Sequence, residues 1–229
     1  MPEGTLLAIG GHEDRDGARH ILRRVAELVE GRELGLITAA SSHPQRYIDM
    51  YRSAFAGLGV EVRPVPGDAT EGRRVLRECG SAFLSGGKQR KLMRRLRVLG
   101  LDDEVRRIHR EGGLVAGTSA GASVQSDRMI SPHGLDEGLG LIGGVLIDQH
   151  FSERGRMLRL ARAVRSAPAR LGIGIDEDTA VEVRAGTLTV RGSGTVTLLD
   201  LRRAETGGGG FRDGTMHLLS EGEAFELPL

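Results

Sequence analysis

The first half of the chain alternates short apolar runs with longer segments whose apolar residues recur at helical spacing. The apolar runs, which we interpret as buried strands, lie at 4–9, 34–39, 60–65, 81–84 and 114–116. The helical segments lie at 18–30, 47–58, 71–78, 89–99 and 102–110. Strands that alternate with helices predict an α/β fold with a doubly wound, mostly parallel sheet and helices on both faces, in three α/β/α layers.

Residues beyond 125 follow a different pattern. The next predicted elements are two buried strands and an intervening basic helix, at 139–147, 172–175 and 151–164. From residue 179 onward, alternating apolar residues between glycine turns predict short antiparallel strands, so the C-terminal part is expected to be β-rich. The glycine-rich stretch 206–214 is expected to be a flexible loop. Because no repeat or compositional break divides the chain, we predict a single domain over 1–229.

The turn after the strand at 114–116 carries the candidate nucleophile. Gly117-Thr118-Ser119-Ala120-Gly121 precedes a small-residue segment that is able to begin a helix. This strand–turn–helix pattern around Gly-x-Ser-x-Gly is typical of a nucleophile elbow, because two residues without Cβ allow a serine to occupy a strained turn. Ordinary βα loops also contain small residues, so the spacing alone leaves a structural role for Ser119 open.

Two candidate partners of Ser119 also follow apolar runs. The catalytic and ligand-binding residues of a parallel sheet lie at the carboxyl ends of its strands, so the glycine-bearing loops of this fold should be neighbours. His150 is placed to act as the base that activates Ser119, and Glu177 is placed to orient that imidazole. The backbone N–H groups of Ala120 and Gly87 are the candidate oxyanion donors.

Other interpretations of these residues stay open at this point. A lone histidine is more often structural, and the chain has seven histidines in all. The run His12-Glu13-Asp14 suggests a metal site, but no second ligand cluster has a useful spacing, so no metal is expected. Arginines at 154–162 are typical of a solvated helix face, although the first of them lie close enough to His150 to hold a substrate carboxylate.

Composition narrows the function classes. The 229 residues carry a net charge of +1, which gives no general attraction to nucleic acid or membranes. Tryptophan is absent and only two tyrosines are present, which argues against an aromatic platform for nucleic-acid bases. The single cysteine, Cys79, excludes an intrachain disulfide and fits a reducing cytosol. No signal-peptide pattern or membrane-spanning run is visible, so a cytoplasmic location is expected.

Six strings carry a family resemblance, and they lie at 9–11, 38–42, 83–89, 116–122, 147–156 and 172–180. The most specific are Asp-Gln-His-Phe-Ser-Glu-Arg-Gly-Arg at 148–156 and Gly-Ile-Asp-Glu-Asp-Thr-Ala at 174–180. In these strings the chain resembles cyanophycinases and their serine peptidase relatives, which include the aspartyl dipeptidase peptidase E.

The resemblance implies a flavodoxin-like fold of the class I glutamine amidotransferase type. It implies a Ser-His-Glu triad formed by Ser119, His150 and Glu177, with no metal or organic cofactor, and a homodimer is expected because the family is often dimeric. The implied reaction is exopeptidase cleavage of cyanophycin (arginine-substituted poly-aspartate) to β-Asp-Arg dipeptides. The family positions that contact substrate match Gln89, Asp148, Gln149, Arg154, Arg156 and Arg159.

Two departures from the family pattern bear on the substrate. Lys88 replaces an acidic residue of the family's Gly-Gly-Asp-Gln, and the segment 130–139 is shorter than in typical cyanophycinases. Hydrolysis of small α- or β-aspartyl dipeptides therefore stays an alternative, as does a non-hydrolytic binding protein of the same fold. A glutamine amidotransferase activity is disfavoured because those enzymes carry cysteine at the elbow, where this chain has Ser119.

Overall fold

The computed structural model describes residues 3–30, 33–168, 170–207 and 209–227, and they form a mixed α/β fold. The described helices are α1 His20–Val29, α2 Pro44–Phe55, α3 Ala69–Cys79, α4 Gln89–Leu99, α5 Leu101–Arg110, α6 Ala120–Ser123 and α7 Met157–Ser166. The strands of the first half are β1 Leu6–Ile9, β2 Glu33–Ile37, β3 Glu61–Pro64, β4 Ala82–Leu84, β5 Val115–Thr118, β6 Ser126–Ser131 and β7 Gly134–Glu137. The later strands are β8 Ile142–Gln149, β9 Leu171–Ile175, β10 Thr179–Arg184, β11 Thr187–Gly192, β12 Val196–Asp200, β13 Glu205–Gly207, β14 Gly210–Arg212, β15 Thr215–Leu219 and β16 Ala224–Glu226. Within the described residues, no helix has the length and apolar character needed to cross a bilayer.

The larger sheet has eight strands in the order β16-β11-β10-β1-β5-β4-β2-β3. Its five strands from the first half of the chain all pair in parallel, with Leu6 opposite Val115 in the central pair. This arrangement confirms the parallel sheet that the alternation of strands and helices predicts. The later strands β10, β11 and β16 extend the same sheet in the antiparallel sense.

Helices cover both faces of the larger sheet. Successive side chains of a strand point to opposite faces, and in β1 they enter different core clusters. Leu7 and Ile9 pack with the apolar residues of α1 and α2. Leu6 and Ala8 pack with those of α3, α4 and α5. The central strands are therefore buried on both sides, which explains their nearly continuous apolar runs.

A second sheet of six strands has the order β15-β12-β9-β8-β6-β7. Its inner strands share a core cluster with the larger sheet, since Leu84 of β4 belongs to the same cluster as Ile147 of β8 and Ile173 of β9. The hairpin β6–β7 was not predicted, because the segment 126–137 is polar and lacks the apolar alternation that marks a half-buried strand.

Two expectations from the sequence, the start of the basic helix and the flexible loop at 206–214, are wrong. The basic helix begins at Met157 rather than at 151, because Phe151 starts a turn in which Arg156 N–H donates to the Phe151 carbonyl and Gly155 has φ 57°. The expected loop at 206–214 contains the short hairpin β13–β14, with Thr206 paired to Phe211. Gly208 in that stretch lies outside the described residues.

Candidate active site

Ser119 sits in a strained turn between β5 and α6. Its φ is 52° and its ψ is −107°, values that a residue with a Cβ adopts only under constraint from its surroundings. Its N–H donates to the Ile9 carbonyl at 2.9 Å, which ties the turn to the end of β1. A Cβ on Gly117 would lie 2.3 Å from the Gly121 carbonyl oxygen, and one on Gly121 would lie 2.1 Å from the Leu84 carbonyl oxygen. Both glycines are therefore required sterically, as the elbow pattern predicts.

His150 approaches Ser119 from the second sheet. It follows the end of β8 with φ 48°, and its N–H donates to the Gly10 carbonyl at 2.9 Å. The imidazole Nε2 lies 3.0 Å from Ser119 Oγ, within hydrogen-bond reach. The residue is only 5% exposed, so the ring is fixed by its surroundings.

Glu177 completes a continuous chain of contacts that begins at Ser119. It lies on the connection between β9 of the second sheet and β10 of the larger sheet. Its Oε1 lies 2.6 Å from His150 Nδ1, and its own N–H donates to Glu153 Oε1 at 3.0 Å. The three residues are therefore linked in the order that a serine nucleophile, a base and an orienting carboxylate require.

The Gly10–Gly11 turn sets the spacing of this site. The Gly10 carbonyl accepts from His150 N–H, and the Gly11 carbonyl accepts from Asp178 N–H at 2.9 Å, so the turn bridges the two loops. Gly11 has φ 116°, and a Cβ there would lie 2.3 Å from His150 Cε1. Only glycine leaves room for the imidazole at this position.

The surroundings tune both titratable groups. Burial lowers the pKa of His150 below its ordinary 6.5, outweighing the hydrogen bond to Glu177, which acts in the opposite direction. Burial opposes ionisation of Glu177, but hydrogen bonds to His150 and His12 outweigh it and lower the pKa of that carboxyl. The geometry thus favours a neutral imidazole beside an ionised carboxylate, the protonation states that a general base and its orienting group need.

A buried carboxyl lies directly beneath the elbow. Both oxygens of Glu13 accept hydrogen bonds, one from Tyr51 Oη at 2.5 Å and one from Thr118 Oγ1 at 2.7 Å. Glu13 is 2% exposed, and Thr118 immediately precedes Ser119. Burial, followed by the nearby Glu13 carboxyl, raises the pKa of Tyr51. The sequence places Glu13 only in the disfavoured metal cluster at 12–14, and no sequence pattern indicates its contacts with Tyr51 and Thr118.

The expected oxyanion donors lie on the elbow itself and on the neighbouring β4–α4 loop. Ala120 follows it in the chain and is 1% exposed. The loop that carries Gly87 also reaches the nucleophile, since a Cβ on Gly86 would meet Ser119 Cβ at 3.6 Å. Gly87 has φ 140° and lies against Ala40, whose carbonyl oxygen would be 2.6 Å from an added Cβ. This arrangement brings the β4–α4 loop and the elbow together, as the convergence of strand ends predicts.

Four of the residues matched to family substrate contacts hydrogen-bond to one another. Asp148 is fully buried and accepts from Arg156 Nη1 at 3.1 Å and from Arg159 Nε at 2.8 Å. Arg156 also donates to the backbone and side-chain oxygens of Gln149. These groups therefore form an internal network beside the site. The Arg159 side chain is 42% exposed, whereas that of Arg156 is largely buried.

The remaining matched residues, Gln89 and Arg154, lie with Lys88 at the edge of the site, and we call these three residues the rim. Gln89 donates through Nε2 to the Ile130 carbonyl at 2.5 Å, so it connects α4 to the β6–β7 hairpin. Arg154 is exposed, and its N–H donates to the His150 carbonyl at 3.3 Å. Lys88 is exposed at the start of α4. The β6–β7 hairpin, which contains most of the short segment 130–139, therefore borders the same rim.

The run His12-Glu13-Asp14 does not converge on one point. Glu13 turns inward, and Asp14 accepts hydrogen bonds from the N–H groups of its own loop, including that of Gly17 at 2.8 Å. His12 instead places Nδ1 2.8 Å from Glu177 Oε2, and its ring meets that of His150 edge-on at a centroid distance of 5.2 Å. The left-handed φ of His12, 48°, turns the side chain toward Glu177, and no sequence pattern indicates it.

Comparisons with known proteins identify the family of this chain. The model of "Peptidase family S51" matches residues 6–191. Cyanophycinase from Synechococcus elongatus is 34% identical, over 98% of this chain and 80% of its own length. Cyanophycinase from Trichormus variabilis is 38% identical, over 87% of this chain and 75% of its own.

Two solved structures show the same fold. A peptidase from an acI-B1 Actinobacterium superposes with a TM-score of 0.79 at 23% identity, over 99% of this chain and 98% of its own. A putative peptidase E from Listeria monocytogenes EGD-e gives 0.66 at 18% identity, over 83% of this chain and 99% of its own.

The fold, the site and these matches define a serine peptidase. The chain belongs to peptidase family S51.

Proposed function

We propose that the chain is a serine exopeptidase that hydrolyses cyanophycin (multi-L-arginyl-poly-L-aspartate) to β-Asp-Arg dipeptides. The observation that carries this proposal is the unbroken contact chain from Ser119 through His150 to Glu177, at 3.0 and 2.6 Å. The substrate class follows from the cyanophycinases that match most of the chain.

Each contact of the site has a role in the proposed reaction. Ser119 Oγ attacks the substrate carbonyl carbon while its proton passes to His150 Nε2, and Glu177 holds the Nδ1–H of the imidazole. The N–H groups of Ala120 and Gly87 would stabilise the oxyanion, a contribution of about 10²–10³ in rate per donor. The imidazolium then protonates the leaving amine, and a water molecule hydrolyses the acyl-enzyme by the same route in reverse.

The rim supports a substrate rich in aspartate. Arg154 is exposed, and its N–H donates to the His150 carbonyl at 3.3 Å, so it lies close to the reaction centre. Guanidinium groups bind carboxylates in a bidentate manner. The proposed substrate-binding set also includes Gln89, Asp148, Gln149, Arg156 and Arg159. The internal network among the last four would keep the rim residues in position.

A second candidate keeps the chemistry and changes the substrate to aspartyl dipeptides. It is favoured by Lys88, which is exposed at the rim where the family has an acidic residue, and by the β6–β7 hairpin, which Gln89 ties to α4. A non-hydrolytic family member would have no need for the strained φ of Ser119 or for the buried His150, and we place it last.

The proposal extends to the fold class and the setting. The parallel order β3-β2-β4-β5-β1, covered by helices on both faces, supports a three-layer flavodoxin-like fold of the class I glutamine amidotransferase type. The antiparallel strands from β10 onward support a β-rich C-terminal part. A homodimer and a cytoplasmic location remain expectations from the sequence.

The test is product analysis by mass spectrometry after incubation with purified cyanophycin, in parallel with α- and β-aspartyl dipeptides. We expect β-Asp-Arg from the polymer, and we expect Ser119→Ala to lower kcat by about 10⁶-fold, the effect of removing a serine nucleophile. Ser123→Ala, which removes another buried hydroxyl from the elbow region, serves as the control. Turnover of dipeptides alone would select the second candidate, and equal activity of Ser119→Ala would exclude the mechanism.

A further inference from the structure

Glu177 has a second histidine partner that the proposed reaction does not use. His12 Nδ1 lies 2.8 Å from one carboxylate oxygen, and His150 Nδ1 lies 2.6 Å from the other. One nitrogen of each ring and one carboxylate oxygen all lie within 4.8 Å of one another. The site therefore holds two imidazoles and a carboxylate close enough together to share one metal ion.

This set of ligands has the chemistry of a zinc site. Zn²⁺ binds imidazole nitrogen and carboxylate oxygen at about 2.0–2.2 Å, so two ligands of one tetrahedral ion lie about 3.3 Å apart. To reach that spacing, the Glu177 side chain, which is 24% exposed, must turn so that its contacts with the two histidines widen from 2.6 and 2.8 Å to about 3.3 Å. The His12 side chain is 64% exposed, so its ring is free to turn onto an ion that enters from solvent. We propose that His12, His150 and Glu177 form an inhibitory zinc site.

Inhibition follows from the protons of His150. In the working arrangement, the Nδ1–H group of His150 donates to Glu177 while Nε2 accepts from the Ser119 hydroxyl. A zinc ion on Nδ1 forces the proton of the neutral ring onto Nε2, without any change in the number of protons on the imidazole. Nε2 then donates instead of accepting, so it no longer removes the proton of Ser119. Inhibition rests on the proposed function, whereas zinc binding does not.

Within the described residues, no other group of three histidine, cysteine, aspartate or glutamate side chains comes together in this way. Cys79 is 2% exposed, and burial raises the pKa of its thiol to about 11, so little thiolate is available. The zinc ion is an inhibitor in this proposal and supplies no chemistry to the reaction, so the expectation that catalysis needs no metal is unaffected.

The variant that isolates the site is His12→Asn. Asparagine tolerates the left-handed φ of 48° at this position, and its amide N–H group can replace Nδ1–H as a donor to Glu177. A neutral amide nitrogen is not a zinc ligand. His20→Ala is the matched control, because His20 is also exposed and lies on α1, immediately after the same loop.

Two measurements are made on protein freed of metal by a chelator. Co²⁺ absorption reports the ligand set directly, and the dependence of peptidase activity on Zn²⁺ reports inhibition. We expect a tetrahedral Co²⁺ spectrum in the parent, in Ser119→Ala and in His20→Ala. We expect His12→Asn to weaken metal binding and zinc inhibition by at least about tenfold, since even loss of a residue that only orients a ligand costs about 10–100-fold.

The two readouts separate the inference from the proposed function. A Co²⁺ spectrum that depends on His12 in a protein without peptidase activity would support the metal site and reject the proposed reaction. The inference is overturned if Co²⁺ gives no tetrahedral spectrum, if zinc inhibits His12→Asn and the parent equally, or if zinc raises the activity.

Discussion

At the scale of single residues, the protonation state of His150 decides whether the site works. The ring must be neutral to accept the Ser119 proton, and burial favours the neutral form. Glu177 acts in the opposite direction, because its negative charge and its hydrogen bond favour the imidazolium that forms during the reaction. The same carboxylate therefore reduces the neutral fraction of His150 in the resting enzyme but stabilises the imidazolium that forms on proton transfer.

This balance predicts the pH dependence of hydrolysis. Because the pKa of His150 is lowered, kcat/KM should rise through a midpoint below 6.5, the ordinary histidine value, and stay high above it. Glu177→Gln removes the groups that raise this pKa, so the midpoint should move further down while kcat falls by about 10⁴-fold. Glu153→Gln changes charge in the same way without touching His150, and it should leave the midpoint in place. A midpoint above 6.5, or one that Glu177→Gln leaves unchanged, would contradict this account.

At the scale of elements, the elbow is connected to α2 and to the loop after β1 by hydrogen bonds to a buried carboxylate. Tyr51 of α2 and Thr118 of β5 both donate to Glu13, which lies on the loop after β1. The hydrogen bond from Thr118 ties the end of β5 to a buried acceptor one residue before Ser119. We therefore regard Glu13 and Thr118 as positioning residues for the nucleophile.

Thr118→Val tests this arrangement with little change of shape. Valine leaves one Glu13 oxygen unpaired and the elbow less constrained, so kcat should fall by about 10–100-fold with a smaller change in KM. The unpaired buried acceptor should cost about 1–3 kcal/mol of stability. Thr118→Ser keeps the hydroxyl and should restore kcat. A loss of melting temperature in Thr118→Val without any loss of kcat would show that the contact is only structural.

The elements also show which parts of the site can be predicted from the sequence alone. The strained turn at Ser119 was predictable because such an elbow requires Gly117 and Gly121 at fixed spacing. The apolar runs placed His150 and Glu177 at strand ends, and the family resemblance was needed to select them as partners of Ser119. The contact of His12 with Glu177 depends on one left-handed residue and on the approach of two separate loops. Such a contact is set by tertiary packing and leaves no periodic signal.

At the scale of the whole molecule, the site joins the two sheets. Ser119 follows a strand of the larger sheet, His150 follows a strand of the second, and Glu177 lies on the connection between them. The second sheet was not foreseen because the apolar pattern of β8 and β9 identifies them as strands but does not indicate which sheet they join. Its inner strands bury apolar residues in the same cluster as those of the larger sheet.

A shared core predicts that both sheets unfold together, as the expected single domain requires. Urea unfolding followed by far-UV circular dichroism and by residual hydrolysis should give one coincident transition. Ile173→Ala, at a fully buried position of the second sheet, should lower the midpoints of both probes equally, at a cost of about 2–5 kcal/mol. Val98→Ala, at a position 74% exposed, should change stability by less than about 0.5 kcal/mol. Activity lost well before the circular dichroism signal, or a shift of one probe alone in Ile173→Ala, would show that the sheets are separate folding units and that the triad is assembled across their boundary.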